Sequence, residues 1–547
     1  MTLLLILSLG LPLVMVLLLL VTPLKARVVS LLAVAPLPGL LLALASGRNP
    51  EWTASLPGGW VFDLDRPAAL LLTASALIWM AAGALASRWL KDREGAPRFA
   101  MWWLLTLWGS LGVFAAADLA GFYLLYAAAS LPAYGLIVWD GGDEERRAGR
   151  LTLAAALIGE ALLLAAFVLL AAGAPGQSLL IADGVAALSA SPFRDAIIAL
   201  LILGFGLKIG LVPLHGWMPL SYASGPLLAT AVLSGATSKA GLIGLMQFLP
   251  FEAGLQGWGM ALFVAGLFSA FYGVVAGLFQ SNPRSVLAYS SVSQLGQMAA
   301  LLGAGLATGS AGASLLVGFY ALYHVLTKGG LFLAINALAQ AGPQRARQLV
   351  LVTSGLAALG FAGLPLTGGA LAKLSVKPLI GDGAASLIFA AAAIGSTLLM
   401  LHFIRLIRAI APAADAGAAR GRQAWLFIFL LAMLLPWLLF DILTGLAAGY
   451  ALTPAVLLDL GWPVAAGLLI SWGLALAGLM TSGQPTSAIA PRADVAARIG
   501  WLCEPAAAWT AARLASFETA SRSWPVAASL LVFVMLIFTL LSHLGDS

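Results

Sequence analysis

Residues 203–245 read LGFGLKIGLVPLHGWMPLSYASGPLLATAVLSGATSKAGLIGL, and they give the strongest indication of the architecture of the chain. Two lysines, Lys208 and Lys239, stand there in apolar runs long enough to cross a bilayer. A lysine near the middle of a membrane costs about 2.5–3.5 kcal/mol on insertion scales, so its presence there indicates a function. Pro213 and Pro219 predict a broken helix, which a membrane tolerates only against protein or a water-filled cavity. We interpret the stretch as part of an ion path.

The composition of the chain places it in a membrane. Of its 547 residues, 61% are hydrophobic and 9% are charged. A soluble domain carries about 25% charged residues, so a soluble multidomain protein is excluded. Apolar runs of about 20 residues recur from end to end, which is typical of a polytopic helical membrane protein. The formal charge of +6 is not gathered into a basic patch with aromatic residues, so we expect no nucleic acid partner.

The sequence predicts neither a cofactor nor a metal site. A single cysteine, Cys503, excludes a cysteine-ligated metal or cluster. The four histidines lie too far apart in sequence to show ligand spacing. The chain contains no Walker loop, no dinucleotide-binding glycine motif after a strand and no haem attachment motif.

The charges of the loops predict the orientation of the helices. We count about sixteen spanning segments, beginning with residues 3–22 and 28–46, of which about fourteen form the core. Most lysines and arginines follow odd-numbered segments, whereas those after even-numbered segments are Arg48, Arg66, Arg194 and, at the edge of its segment, Lys377. The positive-inside rule then places the odd-numbered loops in the cytoplasm and the N-terminus outside, and we expect a bacterial inner membrane.

The chain divides into five predicted regions. These are N-terminal transmembrane helices (1–99), a first half-channel (100–250), a second half-channel (251–410), C-terminal core helices (411–481) and an extension (482–547). In the extension we predict an amphipathic helix over 494–520 on the cytoplasmic face, with a loosely ordered alanine-rich linker as the alternative, and a final transmembrane helix over 525–542.

Two interrupted helices predict an inverted repeat. Segment seven (196–214) carries Lys208 just before Pro213, and segment twelve (349–376) carries Lys373 just after a break at Pro365. Paired interruptions of this kind point to a transport site. Because the two lie five segments apart, the second copy crosses the membrane in the opposite sense, which gives two inverted five-helix units. Simple proline kinks are the alternative, but they do not account for a lysine beside each break.

Buried basic side chains predict a path for protons. His324 and Lys328 lie four residues apart in segment eleven (312–339), on one helix face. Burial favours the neutral form of a lysine, so a buried amine can take up and release a proton, and histidine does the same readily. A structural role beside a carboxylate or carbonyl is the alternative for any one of them. The predicted relay residues are Lys208, Lys239, Lys328, Lys373, His215 and His324.

Glu160 is the one acid that the sequence places at mid-membrane depth. It lies in segment six (151–172), and we add it to the relay as a proton site or as the counter-charge of Lys208. A hydrogen-bonded structural acid is the alternative. Asp118, between segments four and five, is expected near the outer surface.

Five ordered motifs carry a resemblance to a known family over about residues 100–410. They are FGLKIGLVPLHGWMPLSYASGP, SGATSKAGLIGL, SNPRSVLAYSSVSQLGQM, YHVLTKGGLFL and LPLTGGALAKL. The chain resembles the antiporter-like subunits of respiratory complex I, Mrp antiporters, energy-converting hydrogenases and inorganic carbon transporters of the DabB type. The resemblance implies that Lys208 is the central lysine of the first half-channel. It also implies that Lys239, His324 and Lys328 form the connection, and that Lys373 ends the second half-channel.

One position departs from the family. A glutamate is usual in segment five, in a stretch like DLLLFFVFWELMLLP, and it pairs with the lysine of segment seven. Here the stretch reads DLAGFYLLYAAASLP, in which Asp118 matches and Ala127 replaces the glutamate. Either Glu160 takes its place from the next helix, with a direct or water-bridged contact to Lys208, or the first half-channel is altered or silent.

Three functions remain open from the sequence. The first is a proton-translocating subunit of a multisubunit complex of the NADH-quinone oxidoreductase, hydrogenase or Mrp type. The second is a subunit that couples protons to carbon dioxide or bicarbonate uptake with a soluble zinc-containing partner. The third is a structural membrane-arm subunit with vestigial lysines. For all three we expect other membrane subunits as partners, and for the first a soluble redox module.

Overall fold

The computed structural model describes residues 1–47, 52–341, 344–411 and 419–476, and nearly all of its regular structure is helical. The predicted all-α polytopic membrane fold is confirmed. The predicted amphipathic helix over 494–520 and the final helix over 525–542 lie outside the described residues.

Twenty-two α-helices follow one another in the described residues. Up to the first half-channel they are α1 (Thr2–Leu18), α2 (Lys25–Ser30), α3 (Leu37–Ser46), α4 (Arg66–Trp89), α5 (Ala96–Gly112), α6 (Leu119–Ser130), α7 (Ala133–Ile137), α8 (Asp143–Gly173), α9 (Ile181–Ala187), α10 (Arg194–Ile209), α11 (Trp217–Ser224), α12 (Leu227–Val232) and α13 (Lys239–Phe248). The rest are α14 (Gln256–Leu278), α15 (Pro283–Thr308), α16 (Ala313–Ala339), α17 (Gln344–Ala362), α18 (Gly368–Ser375), α19 (Lys377–Ile380), α20 (Ala384–Arg408), α21 (Ala419–Thr444) and α22 (Pro454–Leu476).

Nine helices of the described chain are long and apolar enough to cross a membrane, and a bent pair at the N-terminus brings the number to ten. The first two predicted segments differ in detail from the structure. The helix predicted over 3–22 ends at Leu18, and the one predicted over 28–46 is divided into α2 and α3. The helix α3 has Pro36 as its N-cap and Pro38 in its first turn, because a proline fits the first turn of a helix but not its interior.

Both predicted helix breaks are present. The helix α10 ends at Ile209, and Gly210 caps it in the left-handed conformation (φ 72°) before the chain turns into α11. The helix α17 ends at Ala362, and Gly363 (φ 99°) leads the chain through Pro365 to α18. Glycine adopts such positive φ angles without strain, so the glycine at each of these positions favours the break.

A seam of glycines joins the first two helices of the second half. On α14 and α15 the seam glycines recur every seven residues, and they are Gly259, Gly266, Gly273, Gly296 and Gly303. A Cβ atom at Gly259 would lie 2.3 Å from the backbone nitrogen of Ala307, and one at Gly266 would lie 2.4 Å from that of Ala300. Only glycine permits this approach, as at other close helix pairs in membranes.

A short β-hairpin, absent from the all-α prediction, precedes α4. Its strands β1 (Thr53–Leu56) and β2 (Trp60–Asp63) are antiparallel. Asp118 caps the N-terminus of α6 by accepting hydrogen bonds from the backbone amides of Gly121 (2.7 Å) and, in the hairpin, Val61 (2.8 Å). Asp118 therefore fastens the hairpin to the first half of the bundle.

The order of the helices defines two ends of the bundle. Successive crossings from α8 onward place Arg146, Arg284 and Arg347 at one end, which we call the arginine-rich end, and Lys377 and Asp459 at the opposite end. Contacts agree with this order. Arg284 Nε donates to the carbonyl of Tyr222 at the end of α11 (3.1 Å), and Arg347 Nη2 donates to that of Arg408 at the end of α20 (2.7 Å).

Candidate functional site

Lys208 lies one residue before the end of α10, half-buried, and its amine meets the helix that lacks the family's glutamate. Its Nζ donates a hydrogen bond to Ser130 Oγ on α6 (2.7 Å). The same amine lies 5.4 Å from the ring centre of Tyr126, within the range of a cation–π contact. Ser130 stands three residues after Ala127, about one helical turn further along the same face.

Glu160 lies beside this pair on α8, which packs along α10. The carboxylate is 5% exposed and interacts with the Ser130 hydroxyl and, through space, with Lys208. No ion pair within 4.0 Å joins it to Lys208 in the described chain, and its Oε1 has no hydrogen-bond partner there. Ser130, which could not be singled out from the sequence, thus interacts with both the acid and the amine, and its hydroxyl also donates to the carbonyl of Tyr126 (2.8 Å).

A small cavity adjoins Lys208. It has a volume of about 30 Å³, and its polar lining comprises Ser130, Thr152, Trp217, Tyr222, Thr237 and Ser238. Because one water molecule needs roughly 10–15 Å³ measured in this way, the cavity has room for water.

A π-helical turn, Leu233–Thr237, joins α12 to α13 and presents Lys239. In this turn the amide of Ser238 bonds to the carbonyl of Leu233 (3.2 Å), one residue further back than in an α-helix. The carbonyl of Ser234 is left to accept from Lys239 Nζ (2.8 Å), and Ser238 Oγ lies 3.1 Å from the same amine. Turns of this type are frequent at functional sites, but the sequence analysis did not predict this one.

Close packing brings Lys239 and Lys208 to the same region. A Cβ atom at Gly241 would lie 2.8 Å from Lys208 Cβ, so α13 and α10 approach as far as glycine allows. Ser238, a partner of Lys239, also lines the cavity at Lys208. The two lysines therefore border one polar cluster.

Two serines lead from Lys239 towards Lys328. Ser234 Oγ lies 3.3 Å from Ser291 Oγ on α15. Ser291 Oγ donates to the carbonyl of Leu287 (3.1 Å), which also accepts from Lys328 Nζ (3.2 Å). Polar groups therefore continue without a gap from one fully buried lysine to the next.

His324 and Lys328 share one face of α16, with Tyr320 a further turn away. Phe361 packs against this face, 4.6 Å from Lys328 Nζ and with its ring centre 5.6 Å from that of His324. Neither ring nitrogen of His324 has a hydrogen-bond partner among the described residues. Tyr320 donates to Gln294 on α15 and borders the second cavity.

Lys373 lies on α18, after the second break, half-buried at this larger cavity. Its Nζ donates to the carbonyl of Ala362 (2.9 Å), the last residue of α17. The cavity has a volume of about 170 Å³, and its polar lining comprises Gln297, Tyr320, Lys373, Lys377, Ser386 and Asp459. Within the described parts of the chain no carboxylate lies within 4.0 Å of the Lys373 amine.

His215 stands apart from this series. It is buried in the break between α10 and α11, edge-on to Tyr272 (4.7 Å between ring centres) and 6.3 Å from Tyr289. It is not among the residues that line either cavity. Its place in the relay stays a prediction.

Comparison with known proteins identifies the family. Residues 116–400 match the family described as "NADH:quinone oxidoreductase/Mrp antiporter, TM". The chain belongs to this family. The matched range runs from the start of α6 into α20 and includes all the lysines of the relay, so the predicted resemblance is confirmed.

Relatives of the chain come from several kinds of membrane complex. It is 30% identical to NADH-quinone oxidoreductase subunit N of Desulforudis audaxviator over 73% of this chain and 85% of the relative. It is 28% identical to hydrogenase-4 component B of Escherichia coli over 50% of this chain and 43% of the relative. It is 27% identical to the putative antiporter subunit mnhA2 of Staphylococcus haemolyticus over 59% of this chain and 43% of the relative. The chain thus spans less than half of the last two.

Solved structures share the fold. A chain of the membrane-bound sulfane sulfur reductase, an archaeal respiratory membrane complex, superimposes with a TM-score of 0.66 at 20% identity, covering 84% of this chain and 99% of that one. A chain of the Mrp complex from Dietzia superimposes with a TM-score of 0.64 at 23% identity, covering 86% and 98%. The protein is therefore an antiporter-like, multi-pass membrane subunit whose relatives work within multisubunit complexes.

Proposed function

We propose that this subunit moves protons along a relay from Lys208 through Lys239 and Lys328 to Lys373. The observation that carries the proposal is the line of polar groups that runs from Lys208, across the cavity that Ser238 also lines, to Lys239, and on through Ser234 and Ser291 towards Lys328. A proton can pass along amines, hydroxyls and water because each accepts one proton while giving up another. The carbonyls of Ser234 and Leu287 only accept hydrogen bonds, so they hold the two amines in place while the hydroxyls and water carry the proton. His324 and Tyr320 extend the series towards the second cavity.

The two cavities give the relay an entrance and an exit at opposite ends. The first is lined by Thr152 and Tyr222, which belong to the parts of α8 and α11 near the arginine-rich end. The second is lined by Lys377 and Asp459, which mark the opposite end. A central chain of groups with water access from one side at each extremity can carry protons across without an open pore.

Glu160 acts in this proposal as the acid that the family usually places on segment five. Ser130 holds the position one turn from Ala127 and connects the Lys208 amine with the Glu160 carboxylate. The carboxylate stabilises a proton on Lys208, so the first half-channel is altered in its parts and active in its function.

The charge bias of the loops supports an orientation with the arginine-rich end in the cytoplasm and the N-terminus outside, in a bacterial inner membrane. The energy comes from partners, since the chain carries no redox or nucleotide motif of its own. We expect a soluble redox module joined through other membrane subunits. The relatives give no specific support to an inorganic carbon transporter.

Replacement of the terminal lysines tests the proposal. We expect Lys208→Ala and Lys373→Ala each to abolish proton movement by the intact complex in membrane vesicles, measured with a pH-sensitive dye. Lys91→Ala, which removes an exposed loop lysine, serves as the control. Assembly is checked by purification of the complex. Normal proton movement in both variants would leave a structural subunit with vestigial lysines.

A further inference from the structure

The surroundings of Lys373 differ from those of Lys208, which has the carboxylate of Glu160 close to it. The wall of the cavity at Lys373 contains two lysines, Lys373 and Lys377, and a single carboxylate, that of Asp459. Asp459 is already engaged, because its Oδ2 lies 2.7 Å from Lys377 Nζ. Among the described residues, the hydrogen-bond partner of Lys373 is the carbonyl of Ala362. A protonated Lys373 therefore faces a cavity whose one carboxylate among the described residues is already paired with Lys377.

A hydrogen-bond donor without a partner indicates what kind of ligand could supply a negative charge beside Lys373. Gln297 is 1% exposed and lines the same cavity, and its Nε2 has no hydrogen-bond partner among the described residues. The hydroxyl of Tyr320 lies 3.5 Å from Gln297 Oε1, which leaves the amide N–H groups of that side chain for another acceptor. A buried donor without an acceptor costs about 1–3 kcal/mol, so a ligand that accepts from it is stabilised.

We propose that the second cavity binds a small monovalent oxyanion between the Lys373 ammonium and the Gln297 amide. A planar anion such as formate presents two acceptor oxygens, one for each donor. A single charge matches Lys373, which has no carboxylate partner among the described residues. The volume of about 170 Å³ holds an ion of this size together with water.

The Lys377–Asp459 pair provides the way in. It lines the same cavity, and its side chains are 38% and 45% exposed, so the cavity is reached from the opposite end of the bundle. In the site the anion takes the part that Glu160 takes at Lys208. It holds a proton on Lys373 while it is bound and favours release of that proton when it leaves. The binding site itself does not depend on the proposed proton transport.

Binding of [13C]formate to the full chain in lipid nanodiscs tests the proposal, with the carbon signal followed by NMR as formate is added. We expect saturable binding to the wild type and at least a tenfold loss of affinity in Lys373→Gln. Gln297→Leu keeps the ammonium and is expected to weaken binding by a smaller factor, so it tests the site independently of the folding of the lysine variant.

Lys208→Gln is the matched control, because it removes the corresponding lysine of the first half-channel, which already has Glu160 close to it. We expect formate binding to this variant to equal that of the wild type. The absence of saturable binding to the wild type, or equal binding to Lys373→Gln, would overturn the site. Chloride that binds as tightly as formate would overturn its assignment to an oxyanion.

Discussion

The two lysines beside the helix breaks lie in similar folds and in different chemical surroundings. Lys208 donates to the Ser130 hydroxyl, has Glu160 close by and borders a cavity of about 30 Å³. Lys373 donates to a backbone carbonyl, has no acid close to its amine in the described residues and borders a cavity of about 170 Å³. Both halves have the helix break and the lysine. They differ in the acid, which among the described residues lies close to the lysine in the first half alone, and in the cavity, which is larger in the second half.

Because of this difference, the negative charge that balances a protonated lysine has a different source in each half. In the first, we expect the fixed carboxylate of Glu160 to set how readily Lys208 holds a proton, so the response is built into the chain. In the second, we expect a bound anion to supply the balancing charge, so the response depends on the surrounding solution. The two halves can therefore be disturbed separately by substitutions in each.

Removal of the acid is expected to have the largest effect. Loss of a charge interaction of about 1.4 kcal/mol slows a step about tenfold, so we expect Glu160→Gln to lower proton movement by about that factor or more. Vesicle proton-movement assays measure it. Addition of Ala127→Glu to this variant returns a carboxylate to α6 and is expected to recover most of the rate.

Asp118→Asn is the control for the removal of an acid from the same half. Asp118 accepts two backbone hydrogen bonds at the end of α6, so its replacement is expected to change stability more than proton movement. Equal and negligible effects of Glu160→Gln and Asp118→Asn would show that Glu160 does not serve as the missing acid.

Interruption of the link between the halves is expected to have an intermediate effect. Ser291→Ala removes the hydroxyl that faces Ser234. Loss of a hydrogen bond worth about 1 kcal/mol corresponds to a rate lower by about fivefold. Ser291→Thr keeps a hydroxyl and is expected to stay near the wild-type rate in the same assay. A normal rate in Ser291→Ala would mean that the proton passes between Lys239 and Lys328 by another route.

The β-hairpin packs on the first half-channel at the end of the bundle that carries Lys377 and Asp459. Its Asp63 makes the stability of the chain depend on pH. Burial and the charge of Asp65 raise the pKa of Asp63 to about 6. A raised carboxyl pKa favours folding in acid, so this contribution to stability declines as the pH rises from about 4, the ordinary value for aspartate, to about 6.

Asp63→Asn keeps the side chain neutral and removes that decline. We expect the variant to gain thermal stability over the wild type above about pH 6 and to match it near pH 4, where both side chains are uncharged. Thermal unfolding of the full chain in detergent measures the difference, with the exposed Asp92→Asn as the control. Parallel pH profiles for Asp63→Asn and the wild type would contradict the assignment.

The ion pair at the mouth of the second half is expected to show the smallest effect. The hydrogen bond and charge of Asp459 raise the pKa of Lys377, so Asp459→Asn should let Lys377 lose its proton at a lower pH. The pH dependence of the reaction of Lys377 with an amine-selective reagent measures this. Stability should change little, because exposed pairs contribute little. Asp441→Asn, an exposed acid at the same end, should leave the titration unchanged.

The basic side chains and the breaks could be predicted because apolar surroundings make them conspicuous. A lysine such as Lys239, or a proline such as Pro365, contrasts with every neighbour in a membrane segment. Glu160 could be paired with Lys208 for the same reason. The structure refines that pairing, because Ser130 interacts with both groups and no direct ion pair joins them in the part of the chain that the structure describes.

The remaining features depend on packing that leaves no pattern in the sequence. Ser130 is one of many small residues on α6, and only the approach of α10 gives it a role. The hairpin strands are four residues each, too short for a clear alternation. Cavity volumes depend on gaps between helices, so the difference between the two halves appeared only in three dimensions.

The π-helical turn before Lys239 determines which way the side chains of the following helix point. Such a turn holds one residue more than an α-helical turn, so everything after it is rotated by about 100° relative to a continuous helix. Deletion of one residue within 233–237 would restore a plain helix and carry Lys239 away from the carbonyl of Ser234. The direction of this amine thus depends on the number of residues in the turn. A deletion of one of them would remove Lys239 from its contacts without replacing the lysine.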